Sequence, residues 1–228
     1  MEDSTIAVEP STFEMLVQHR ELGEAACEHP ERAARLLPRL AAISALGLVA
    51  YALVQGAVLS VGPSGAQPLG LEQASFPVRA LALFLAYAAG IFGAQVAALP
   101  SAYFYALQAG IRTHAWRIAA EAMRAQATAA VVLLGLLPVY LAAGLGVGLG
   151  HADSGTTMLV HGMIGYTLPF VGGLAGTVGL ARAFVRIARG ASSEGSRSPW
   201  PVMAVLAWSA LFTSLAPLAV ARVLDALS

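Results

Sequence analysis

The chain lacks lysine altogether, has one cysteine, and carries almost no charge over most of its length. All thirteen of its basic residues are arginines. Cys27, having no second thiol, excludes an intramolecular disulfide and any thiolate zinc site. Charged residues make up 11% of the chain, against about 25% in ordinary soluble domains. Net charge is zero, so no global field draws in nucleic acid. There is no P-loop or dinucleotide fingerprint, and any nucleotide energy would have to come from a partner chain. No carboxylates pair within the apolar segments, which argues against an intramembrane aspartyl or metal protease. The same lack argues against a self-contained proton pump, which needs buried acids as a relay. Ser64 and Ser154 each precede a glycine, but neither sits in a strand-to-helix elbow that would make it a nucleophile. The expectation is a non-enzymatic protein with no catalytic residue, cofactor or metal.

What the sequence does contain is apolar length. Of its 228 residues, 57% are apolar, and they gather in blocks long enough to cross about 30 Å of hydrocarbon at 1.5 Å per residue. A single charge at the bilayer centre costs about 2.5–3.5 kcal/mol on the mildest scale. Five spans are expected, over 40–62, 77–110, 126–150, 158–180 and 201–221, with Arg79 at the edge of the second. The second is too long for one crossing and too short for two. It is therefore expected to be a single helix, bent at Pro100 and projecting beyond the membrane.

Residues 1–38 form an acidic arm with eight carboxylates and no apolar core of a cleavable signal, so span one is expected to direct insertion. Ser11 followed by Glu14 fits a capping box, with Phe13, Leu16, Val17 and Arg20 following at helical spacing. The pattern predicts an amphipathic helix over 12–28, broken at His29-Pro30, then a short basic helix over 31–37 at the interface. The plainer alternative is a solvated helix on a flexible tether. Eleven of the arginines fall at alternate ends of the spans; Arg79 and Arg222 alone lie at the others. By the positive-inside rule the N-terminus is cytoplasmic and the C-terminus outside. The fold class is an all-α polytopic membrane helix bundle. Arginine without lysine, with abundant alanine, points to a high-GC bacterial gene and so to the inner membrane.

Within the spans, three features call for explanation. Pro100, Pro138, Pro169 and Pro217 each remove a main-chain donor, and in lipid the orphaned carbonyl must find another. A cavity-forming bend is one reading; the general abundance of proline in membrane helices is the other. Gly172/Gly176 form a GxxxG pair, as do Gly144/Gly148 and Gly146/Gly150, and Ala86, Gly90 and Ala94 extend the small-residue pattern. These serve either packing within the chain or homo-oligomerisation. Ser101, Tyr105, Gln108 and Arg112 share one helical stripe that leads to His114, Trp116 and Arg117. That stripe is either the mouth of a ligand or lipid-headgroup site or an interfacial belt with snorkelling arginine. His114 and His161 lie most of a bilayer apart and cannot share a haem. His151, Asp153 and His161 make only a loose divalent-metal cluster.

The stretch Leu99-Pro-Ser-Ala-Tyr-Phe-Tyr-Ala-Leu-Gln-Ala-Gly110, an Arg/His turn, an amphipathic link to Arg124 and a span with central Leu137-Pro138 resembles bacterial Yip1-like membrane proteins. The resemblance covers about residues 80–150 and the overall topology. It implies a cytoplasmic N-terminal region, five spans and protein partners, with no catalytic residues. Two functions are expected to compete. One is a scaffold or interaction subunit whose cytoplasmic face recruits a protein, in contact with membrane lipids and with homo-oligomerisation left open. The other is a permease-like transport subunit served by a separate ATPase, with 111–124 as a coupling helix and His114, Arg117, Glu121 and Arg124 as coupling residues. A redox-enzyme anchor ranks third.

Overall fold

A computed structural model of the chain describes residues 11–18, 20–61, 74–108, 113–150, 153–191 and 200–227. The described residues are helical throughout, without a strand, and five helices are long and apolar enough to cross a membrane. Multi-pass integration in a membrane follows from those five. The arm contributes α1 (Thr12–Val17) and α2 (Arg20–Glu28). The capping box at Ser11 starts α1: the Glu14 N–H donates to the Ser11 hydroxyl and the Ser11 N–H donates to the Glu14 carboxylate. The single helix expected over 12–28 is thus two, divided at Gln18.

The long helices are α3 (Pro30–Val61), α4 (Phe76–Gln108), α5 (Ala115–Leu149), α7 (Gly165–Ala191) and α8 (Trp200–Leu227). Between α5 and α7 lie the short α6 (Ser154–Thr157) and a π-helical segment, Met158–Ile164. Pro30 opens α3, a position where its missing N–H costs nothing. The separate basic helix expected over 31–37 does not occur; those residues are the first turns of α3, which runs on through Pro38. Likewise, from Ala115 onward the expected link over 111–124 is the beginning of α5. The reason is common to both. A change from charged to apolar side chains does not by itself interrupt a helix: the residues through it in α5 are fair helix formers, and in α3 the helix continues even across Pro38. At 32 to 35 residues, α3, α4 and α5 are each about 50 Å long and outreach the hydrocarbon layer.

The five long helices close into a ring: α3 packs on α4 and α5, α4 on α8, α5 on α7, and α7 on α8. Glycine sets the closest approaches. A methyl added at Gly144 would lie 2.6 Å from Val58, and one at Gly148 2.8 Å from Val61, so α3 and α5 run side by side in the same direction. Gly172 and Gly176 lie against the Ala129 and Ala125 carbonyls, the first at 2.7 Å from an added methyl, which brings α7 antiparallel onto α5. Gly90 meets Val220 in the same way between α4 and α8. These glycines are spent on contacts within the chain, where close approach supplies the packing that lipid does not drive. The ring has two ends. The arm end gathers α1, α2 and the starts of α3 and α5; the far end holds α6 and the π-helical segment.

Candidate functional site

At the arm end, α2 lies on the projecting starts of α3 and α5. Cys27, Ala33 and Ala120 form a small buried cluster there, and Leu36, Leu40 and Ala127 form another against Met15 and Leu16. A cleft of about 420 Å³ opens beside the first, lined by Glu28, Leu107, Thr113, His114 and Arg117. Arg117 donates through Nη2 to Glu28 at 2.8 Å, while its Nε is buried without a partner. His114 caps α5 by position only, with no side-chain bond to the helix start, and stands exposed. One turn deeper, Glu121 and Arg124 form a buried ion pair at 2.7 Å.

The four residues proposed to contact a coupling partner therefore divide. His114 and Arg117 line a surface cleft, whereas Glu121 and Arg124 face inward and are spent on each other. Their i,i+3 spacing makes the pairing readable, but inward burial depends on α2 lying over them. Three of the four residues of the polar stripe are described. Ser101 gives its hydroxyl to the Ala98 carbonyl of its own helix, Tyr105 packs beside the α4–α8 cluster, Gln108 is exposed, and Arg112 lies outside the described residues. Trp208 of α8 donates to the same Ala98 carbonyl, two residues before Pro100.

The far half contains the polar cluster that sequence reasoning missed. Tyr51 and Gln55 on α3, Tyr87 on α4, Tyr140 on α5, and His161 with Tyr166 beyond α6 converge inside the ring. Pro169 has no N–H for the Gly165 carbonyl four residues earlier. The Tyr51 hydroxyl donates to that carbonyl at 3.0 Å instead. Tyr87 donates to the Tyr166 carbonyl at 2.8 Å, and Gln55 to the His161 carbonyl at 3.1 Å. The Tyr140 hydroxyl closes the set by donating to the Gln55 side-chain oxygen. Tyr51 and Tyr87 rings meet edge to face at 4.9 Å.

His161 is fully buried in the π-helical segment, a winding often found at functional positions. Its Nε2 lies 2.9 Å from the Gly144 carbonyl, which can only accept, so Nε2 donates there, and Nδ1 is buried without a partner among the described residues. Gly165 admits this cluster because any side chain there would collide with Tyr140 and Gln55. Of the loose metal cluster, Asp153 and His161 are described. Asp153 turns its carboxylate to the N–H and hydroxyl of Thr156, His161 faces Gly144, and His151 lies outside the described residues. Among the described residues, no three His, Cys, Asp or Glu side chains converge. Hydrogen bonds from Thr156 hold the Asp153 carboxyl below the ordinary aspartate value.

No protein-family model, curated protein or solved structure matches this chain.

The signal for the far cluster was in the sequence all along: Tyr51, Gln55, Tyr87, Tyr140 and Tyr166 are polar side chains within long apolar blocks. Such groups must find partners in lipid. Their convergence could not be read, because each sits on a different helix or on a different turn. The remaining prolines lie inside their helices without breaking them: Pro100 in α4, Pro138 in α5 and Pro217 in α8.

Proposed function

We propose that this protein is a non-enzymatic interaction subunit of a membrane complex, and that its arm end faces the cytoplasm and binds a protein partner. The observation that supports this most directly is the exposed apolar pair on α1. Phe13 is 48% and Val17 55% exposed, they lie four residues apart on one helical face, and α1 is outside the apolar spans. Glu14 and Glu21 flank them, both exposed. Acidic flanks repel an anionic leaflet, so this face suits a protein with an apolar groove and a basic rim better than a lipid surface. The arginine distribution supports the orientation, and the Yip1-like resemblance of residues 80–150 implies the same class of role.

The transport-subunit reading draws less support. Tyr51, Gln55, Tyr87 and Tyr140 fill the far half of the ring, and the cleft beside Gln95 and Thr177 holds about 30 Å³, room for one water. A photo-crosslinking residue at position 13 in native membranes tests the proposal. A discrete protein adduct is expected that weakens at least severalfold in F13E/V17E, whereas the same probe at Leu46, 65% exposed on α3, reports lipid. Lipid adducts alone at position 13 would sink the reading.

A further inference from the structure

A second cleft at the arm end differs in kind from the one holding Arg117. It has a volume of about 580 Å³ between the arm and α3, and Arg32, Arg35 and Arg39 line one wall. Their spacing of three and then four residues places them on one face of α3. The arm's side of the cleft is apolar, from Met15, Leu22 and Ala26, and Leu36 of α3 adds to the apolar lining. In the first cleft the chain supplies its own anion, Glu28 against Arg117. Here none of the described residues that line the cleft is acidic. Arg32, Arg35 and Arg39 take no part in the Glu28–Arg117 and Glu121–Arg124 pairs.

Depth identifies what faces these arginines. From Leu40 to Val61, α3 carries no charge for 22 residues, about 33 Å of helix, which matches the hydrocarbon thickness. Arg39 immediately precedes that stretch, so the three guanidiniums stand at headgroup level in the leaflet at the arm end. A forked guanidinium matches phosphate oxygens in pairs, and the apolar wall fits the glycerol and upper acyl region below a phosphate. We propose that this cleft seats the phosphate of an anionic phospholipid. The site is separate from the α1 face assigned to a protein partner and does not depend on which side of the membrane the arm occupies.

The test uses the full chain reconstituted in phosphatidylcholine alone or doped with phosphatidylglycerol, then released for native mass spectrometry. Wild type is expected to retain phosphatidylglycerol over phosphatidylcholine, and R35Q/R39Q to reduce that retention on the order of tenfold. R182Q/R186Q removes the same charge from α7, away from the cleft, and is expected to leave retention essentially unchanged. R35K/R39K keeps the charge and restores most of the binding, which separates a lost site from a lost fold. Equal losses in the two glutamine pairs would overturn the proposal, since general surface charge would then explain the binding. No preference for phosphatidylglycerol in wild type would also overturn it, as would displacement of the lipid by inorganic phosphate.

Discussion

The two ends of the ring handle polarity in opposite ways. In the far half, uncharged groups are sealed inside and satisfy one another: tyrosine and glutamine side chains donate to the carbonyls of Gly165, which Pro169 leaves without its helical donor, and of His161 and Tyr166. At the arm end the groups are charged, some paired and buried, others turned outward in clefts. The difference follows from the surroundings. A neutral hydrogen bond keeps its full value in lipid without the expense of desolvating an ion, whereas arginine at the interface still reaches water and phosphate. Rigidity should therefore concentrate in the far half, and recognition at the arm end.

The sharpest break in that contrast is the buried Glu121–Arg124 ion pair. Glu121→Ala removes this contact from Arg124 and is expected to cost about 3 kcal/mol in equilibrium unfolding in mild detergent. Replacing both residues with leucine should recover most of the loss; if the double change is no better than the single, the pair is not the cause. In the far half, Gln55→Leu strips partners from both Tyr140 and the His161 carbonyl. A smaller loss of about 2 kcal/mol is expected in the same assay. An unchanged midpoint would show that the cluster is not sealed.

A finer measurement separates cause from neighbourhood. Tyr51→Phe is expected to cost about 1 kcal/mol, because the Gly165 carbonyl loses the hydroxyl that donates to it. In a Pro169→Ala background the helix itself can supply an N–H, so the same change should cost clearly less. Additive effects would mean that the hydroxyl does not stand in for the missing amide. The smallest effect concerns pH at Asp153. Its carboxyl is held below the ordinary value, so its contribution is present above the unfolded aspartate range and is lost as pH falls through the lower folded value. The Thr156 amide resonance should accordingly shift only on the acid side. Asp153→Asn keeps a cap but should abolish that titration.

Much of this architecture was legible before any coordinates. Five apolar blocks became five long helices because length and apolarity alone determine what crosses a bilayer. The Ser11–Glu14 box was equally plain, since both partners lie within four residues. The docking of the arm was not. Glu28 and Arg117 are 89 residues apart, and nothing local joins them. The length of α3 and α5 was misjudged because a change in hydropathy was read as a helix boundary. The far cluster stayed hidden for a related reason: its tyrosines fall one to a helix and so show no periodicity, and only the packing of α3, α5 and the π-helical segment places Gln55 between Tyr140 and His161.

The hydroxyl that Tyr51 offers to Gly165 also carries an order in time. A ribosome that feeds this chain into a membrane delivers α3 and α4 well before the π-helical segment and Pro169. Tyr51, Gln55 and Tyr87 are therefore in place as a waiting template when the interrupted carbonyls arrive. The weakest stretch of backbone enters the bilayer last but one, next to helices already able to mend it, and α8 then closes the circle around the repair.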